Sequence, residues 1–129
     1  MSRIPVTAVF DIGKTNKKFF LFDEDLKEVF NTYTRFDPIP DEDGFDSEAI
    51  LPLRAWMIQT FLDALNSAEF EIKKLNFSGH GASFVHTDEQ GEPVTPLYDY
   101  LKPYPEDLLE KFYQENGGKM VFCQQTSSP

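Results

Sequence analysis

The stretch from Asp11 to Lys18, Asp-Ile-Gly-Lys-Thr-Asn-Lys-Lys, packs a carboxylate, a glycine, three lysines and two polar donors into eight residues. The chemistry that suits such a set is anion binding. Gly13 lets backbone N–H groups converge on one point, Thr15 and Asn16 add side-chain donors, and Lys14 and Lys18 add charge. Asp11 can hold a divalent cation through water, since magnesium keeps several waters when bound. A nucleotide P-loop is excluded. That motif needs a glycine, four residues, then Gly-Lys-Ser/Thr running into a helix. Here Ala8 holds the first position, and the residues from Lys17 onward have strand character. Local composition alone leaves an ordinary polar hairpin turn with solvated lysines equally open.

Elsewhere the reactive residue types are sparse. His80 stands between Gly79 and Gly81, and Asp99 between Tyr98 and Tyr100. His86, in a strand-like run beside Thr87, reads as structural or exposed. The acids Asp41, Glu42 and Asp43 resemble a metal cluster only in composition and read as a solvated loop. Trp56 reads as helix packing. Cys123 has no neighbouring base, so no catalysis is assigned to it; as the single cysteine it cannot form an internal disulfide.

The elements that must position these residues follow from periodicity. "VTAVFDIG" and "KKFFLFD" form a hairpin with a loop longer than the minimum, and "KEVFNTYTRF" alternates as a third strand. The Pro-, Gly- and acid-rich "DPIPDEDGFDS" reads as a solvated loop, after which Asp46 or Ser47 caps a helix. In that helix Ile50, Leu53, Met57, Phe61, Ala64 and Ala68 recur at helical spacing, and Pro52 starts or bends it. "IKKLNFSG" reads as a buried strand, "ASFVHTD" as another turned by "EQGEP", and "PEDLLEKFYQENGG" as a helix with Pro105 in its first turn and Gly117 as its stop. The order β-β-β-α-β-β-α predicts a mixed sheet with helices packed on it. The final "TSSP" is a turn sequence with no closing element, so the chain is expected to be the front portion of something longer.

Composition narrows the function classes. With 129 residues, 40% hydrophobic and 13 phenylalanines, the chain can build a core. Twenty-two acidic against 12 basic residues give a net charge of −10. That balance argues against nonspecific binding to nucleic acid or an anionic membrane, both of which rest on clustered Lys and Arg. No apolar run approaches the ~20 residues of a membrane helix, and "IPVTAVFD" lacks the order of a signal peptide. A cytoplasmic protein is expected.

Taken in order along the chain, three stretches resemble one family. "AVFDIGKTNKKFFLFDEDLKEV" resembles the first phosphate motif of the sugar kinase, heat-shock ATPase and actin superfamily. "LNFSGHGASFVHTDEQGEPVTPLYDYL" resembles a second signature of the FGGY carbohydrate kinases, where a strand ends in a sugar-contacting turn. "GGKMVFCQQTSSP" resembles the segment that follows. The resemblance implies an α/β, ribonuclease H-like (actin-like ATPase) fold: a mixed sheet with flanking helices, of which residues 1–129 are an incomplete N-terminal part of the first kinase domain, the second being absent.

It also implies ATP and Mg2+ as cofactors, and transfer of the γ-phosphoryl group to a sugar hydroxyl. Asp11 then takes the metal-associated role. Gly13, Lys14, Thr15 and Asn16 line the phosphate loop, and Lys18 faces the transferred phosphate. His80, Gly81, Ala82 and Ser83 fall on the sugar turn, with Asp99 and Tyr100 nearby. Lys14 departs from the Thr or Ala usual in the family, and Leu101-Lys102 replaces the string found after the aromatic in xylulokinase-like members. The spacing through Ser83 and Phe84 is closer to the rhamnulokinase and fuculokinase branch, which favours a ketose or deoxyketose such as rhamnulose, fuculose or xylulose. The family's catalytic Asp base and its adenine-binding loops lie downstream of Pro129, so the segment alone is expected to be inactive. The implied partners are ATP and a small sugar, with a homodimer left open. The competing expectations are a ribonuclease H-like nuclease, which needs more carboxylates and a basic groove, and a non-catalytic sugar-sensing relative.

Overall fold

The computed structural model describes residues 2–127. Alternation of Val6, Ala8 and Phe10 in β1 (Ile4–Ile12), and of Phe19 and Leu21 in β2 (Lys17–Phe22), turns one apolar row of each strand to the same side. The two strands pair antiparallel with Phe10 opposite Phe19 and Asp11 opposite Lys18. β3 (Glu28–Thr34) adds antiparallel to β2. The chain then makes a short hairpin, β4 (Ile39–Pro40) and β5 (Asp46–Glu48), before α1 (Ile50–Leu65) crosses back to β6 (Phe70–Gly79), which runs parallel to β1. The main sheet has the order β3-β2-β1-β6. β7 (Leu97–Tyr98) pairs with β5 in a second, three-stranded sheet, and α2 (Glu106–Glu115) and α3 (Lys119–Thr126) follow.

The core lies between one face of the main sheet and α1. Val6, Ala8, Phe10, Phe19, Leu21, Ala64 and Phe70 are buried there, with Trp56, Met57 and Phe61 packed against them. Phe10 is its hub. Its ring lies 4.7 Å from that of Phe19 and 5.8 Å, edge-on, from that of Trp56, geometries that suit aromatic quadrupoles. No helix among the described residues is long and apolar enough to cross a membrane.

Several local expectations are corrected. Asp46 and Ser47 do not cap α1; they belong to β5, where the Ser47 hydroxyl donates across the hairpin to the Ile39 carbonyl, and Ala49 precedes the helix instead. α1 ends at Leu65, so Ala68 lies outside it, and Pro52 fits as its third residue because first-turn N–H groups have no intrahelical acceptor. Pro105 stands at the N-cap position, just before the first turn of α2 rather than within it. "DPIPDEDGFDS" is not merely solvated: the Asp41 side chain is buried, accepts N–H bonds from Asp43 and Phe45, and pairs with Lys102. β6 is mostly exposed, because β1 covers only one of its edges and only its Phe70 end lies in the core.

No strand forms over residues 82–88. A single bridge joins Thr87 to Pro93, since Ala82 is left-handed (φ 63°) and Pro93 and Pro96 offer no N–H to a ladder. After Gly117 the chain forms α3, whose Phe122 meets Phe112 of α2 edge-on at 4.9 Å. Of the expected terminal turn, Ser128 and Pro129 lie outside the described residues.

Candidate active site

The loop between β1 and β2 is held from beneath. Strand alternation puts Lys17 on the same side as Phe19 and Leu21, which drives its side chain into the core edge, where the residue is 1% exposed. There its ammonium donates to the carbonyls of Gly13 (2.8 Å) and Lys14 (2.6 Å) and pairs with Glu48 at 2.9 Å. In a trans peptide the C=O and the following N–H point in opposite directions. With both carbonyls turned down onto Lys17, the N–H groups of Lys14 and Thr15 turn outward, and neither has a partner among the described residues. Outward-facing successive amides form an anion-binding concavity. Gly13 is required at this turn because a Cβ there would stand 2.9 Å from the Asn16 carbonyl oxygen, which accepts the Gly13 N–H at 3.0 Å.

Asp11 and Lys18 are cross-strand neighbours on the opposite face of the sheet, in a row that continues to Ser78 on β6 and Tyr33 on β3. The described residues contain no group of three His, Cys, Asp or Glu that could cage a metal. A lone carboxylate beside an anion loop fits magnesium held mainly by water and phosphate oxygens. Asn16 is partly committed elsewhere, its side-chain oxygen accepting from Arg35 Nε at 2.6 Å, while Thr15 is exposed.

Lys14 does not point into the loop. Its ammonium crosses to Asp99, 3.0 Å from Oδ1 and 2.8 Å from Oδ2, and lies 4.5 Å from the centre of the Tyr100 ring. The Asp99 hydrogen bond raises the Lys14 pKa above its usual value. In turn Lys14, followed by the Leu101 N–H, holds the Asp99 carboxyl below its usual range. Tyr100 is also near His80, with ring centres 6.2 Å apart. The His80 N–H donates to the Ile12 carbonyl at 3.1 Å, which ties the His80–Ser83 turn to the end of β1. Three parts of the chain distant in sequence therefore meet at one end of the sheet. Between the loop, β5 and Asp99 opens a cleft of about 440 Å³, whose wall holds Lys14, Thr15 and Asp99 of the expected residues. Gly81 and Ala82 are exposed and Ser83 half-buried, outside that cleft.

A second cluster fixes the Asp99–Tyr100 segment. Lys102 pairs with Asp41 at 2.6 Å and Asp43 at 2.8 Å, packs over the Tyr98 ring, and is raised well above the usual lysine pKa by those two acids. The Tyr98 hydroxyl donates to Glu42 at 2.5 Å. Sequence reasoning missed Lys17, Glu48 and Lys102 as supports of the site. For Lys17 the signal was available: the period of two that buries Phe19 and Leu21 buries residue 17 as well.

No protein-family model matches the sequence, and no curated relative is found by sequence comparison. Solved structures do match. A carbohydrate kinase from Novosphingobium aromaticivorans superposes with a TM-score of 0.73 at 22% identity, over 88% of this chain and 23% of that one. A ligand-bound xylulose kinase from Lactobacillus acidophilus gives 0.71 at 17%, over 95% and 24%. A glycerol kinase from Plasmodium falciparum, crystallised with ADP, gives 0.68 at 16%, over 88% and 24%. The chain thus spans about a quarter of the length of the structures it matches, and over that quarter it has the actin-like ATPase fold of carbohydrate kinases.

Proposed function

We propose that this chain is the N-terminal part, residues 1–129, of the first domain of an ATP-dependent FGGY carbohydrate kinase. The kinase transfers the γ-phosphoryl group of ATP to a hydroxyl of a ketose or deoxyketose such as rhamnulose, fuculose or xylulose. The observation that carries the reading is the meeting of the Gly13–Asn16 anion loop with the His80–Tyr100 turn through Lys14 and Asp99. Phosphoryl transfer is mainly a matter of positioning and charge neutralisation, and this arrangement puts an anion cradle beside a polar, aromatic-walled turn. In it the Lys14 and Thr15 amides and Lys18 receive phosphate oxygens, and Asp11 orients waters of a magnesium ion that neutralises phosphate charge. His80, Ser83, Asp99 and Tyr100 receive the sugar. The base that takes the hydroxyl proton comes from polypeptide beyond this segment. The outer edge of β6, unpaired among the described residues and with Leu75 and Phe77 about half exposed, supports further chain packing there.

The reading places the protein in the cytoplasm, with ATP and a small sugar as partners rather than nucleic acid or membrane. The test is phosphorylation by the full-length protein with MgATP across a panel including D-xylulose, L-rhamnulose and L-fuculose. Turnover of one of them that stops on chelating magnesium, with none by the 129-residue segment alone, is expected. No ketose turned over by the full-length protein, or transfer by the segment itself, overturns the reading.

A further inference from the structure

Lys14 belongs by sequence to the anion loop and by contact to the sugar turn, 85 residues away. A single ammonium cannot serve both fully. It contacts both oxygens of the Asp99 carboxylate, with the centre of the Tyr100 ring 4.5 Å away. Asp99 Oδ1 also accepts the Leu101 N–H at 2.8 Å. While Lys14 is in place, the carboxylate has little acceptor capacity left for hydroxyl groups. Both side chains keep some contact with solvent, at 34% and 19% exposure, so the pair can part without stranding a charge in a dry interior. The outward N–H groups of Lys14 and Thr15 lie next to the origin of that same side chain. A polyphosphate seated on them brings several negative charges to bear on the ammonium, against the single charge of Asp99.

Building on the kinase reading above, we propose that the Lys14–Asp99 pair is a latch coupling the two half-sites: nucleotide phosphate draws Lys14 off Asp99, and the freed carboxylate then accepts hydroxyls of the sugar. Coupling of this kind is reciprocal, so each ligand strengthens the other by the same factor. A partly exposed ion pair sets the size of the effect at about fivefold.

The experiment is calorimetric titration of the full-length protein with whichever of D-xylulose, L-rhamnulose and L-fuculose binds best, with and without the magnesium complex of a non-hydrolysable ATP analogue. Sugar affinity is expected to rise about fivefold when the analogue is present. Lys14→Met and Asp99→Asn should both bring that ratio close to one, but with opposite effects on the single ligands. Lys14→Met leaves Asp99 open, so sugar binds without nucleotide as tightly as the wild type does with it, while the analogue binds more weakly. Asp99→Asn frees Lys14, so the analogue binds at least as tightly as before and the sugar more weakly. A merely structural role weakens both ligands in both variants, and that result overturns the latch. Coupling that persists in Lys14→Met also overturns it, and in either case the kinase reading stands because both ligands still bind. Absence of binding of any sugar or of the analogue to the wild type overturns both.

Discussion

Replacing Lys17 with Met tests how the anion loop is held. The two side chains have similar length, so the change removes charge and donors while nearly keeping volume. The Lys17 side chain is 2% exposed, and its partner Glu48 is 16% exposed. The substitution leaves Glu48 without its counter-charge and takes a donor from the carbonyls of Gly13 and Lys14. Breaking a buried ion pair by removing one partner costs about 3–5 kcal/mol. Glu48 retains a route to water, so the lower end applies, about 3 kcal/mol, which lowers Tm by several degrees. The neighbouring Lys18→Met removes the same charge from the other face of the hairpin, and there a change of no more than about 0.5 kcal/mol is expected. Adding Glu48→Leu to Lys17→Met should recover part of the loss, because the stranded carboxylate goes with it. Urea and thermal melts of the three variants provide the measurement. If Lys17→Met and Lys18→Met melt within a degree or two of each other, the buried lysine does not support the loop and the argument for outward-facing amides fails.

Asp11→Asn keeps size and hydrogen bonding but removes the charge to which the proposal assigns the attraction of magnesium. Turnover should fall at least ~100-fold, about 2.7 kcal/mol of transition-state stabilisation, with an unchanged or higher Tm; a normal kcat would defeat the role given to this carboxylate. His80→Ala and Ser83→Ala should each raise the sugar KM several-fold, the loss of one neutral hydrogen bond being about 0.5–1.5 kcal/mol, and unchanged values in both would move the sugar site elsewhere. Asp41, held below its ordinary carboxylate pKa first by Lys102 and then by the Phe45 and Asp43 N–H groups, gives pH-dependent stability. Its contribution is complete above the unfolded value of about 3.9 and disappears as the pH drops through the lower folded value. Lys102→Met should therefore flatten the acid limb of a Tm-against-pH curve, and an unaltered limb would show that Asp41 draws nothing from that lysine.

Much of the scaffold was legible from near-neighbour patterns. Strand alternation in "VTAVFDIG" and "KKFFLFD", broken by Gly13, specified the β1–β2 hairpin because side chains on a strand alternate faces whatever the rest of the fold does. The three- and four-residue recurrence of Leu53, Met57, Phe61 and Ala64 specified α1 and its buried side for the same reason. The failures came where an edge or a partner had to be supplied from a distance. "ASFVHTD" has the composition of a strand but finds only the Thr87–Pro93 bridge. "IKKLNFSG" looks buried yet lies along an uncovered edge. Sequence order could nominate Lys14 for the anion loop and Asp99 for the sugar turn, but not their contact across 85 residues. Nor could it show that Asp41, an acid in a Pro- and Gly-rich loop, is buried beneath a lysine 61 residues further on. Periodicity is a property of the local backbone and can be read residue by residue, whereas the pairing of a charge depends on which distant segment the fold brings within about 3 Å of it. The sequence by itself therefore determined the hairpin, the helix and the types of residue available for chemistry. Folding in three dimensions settled which lysine supports the Gly13–Asn16 loop, which one reaches Asp99, and which acids receive them.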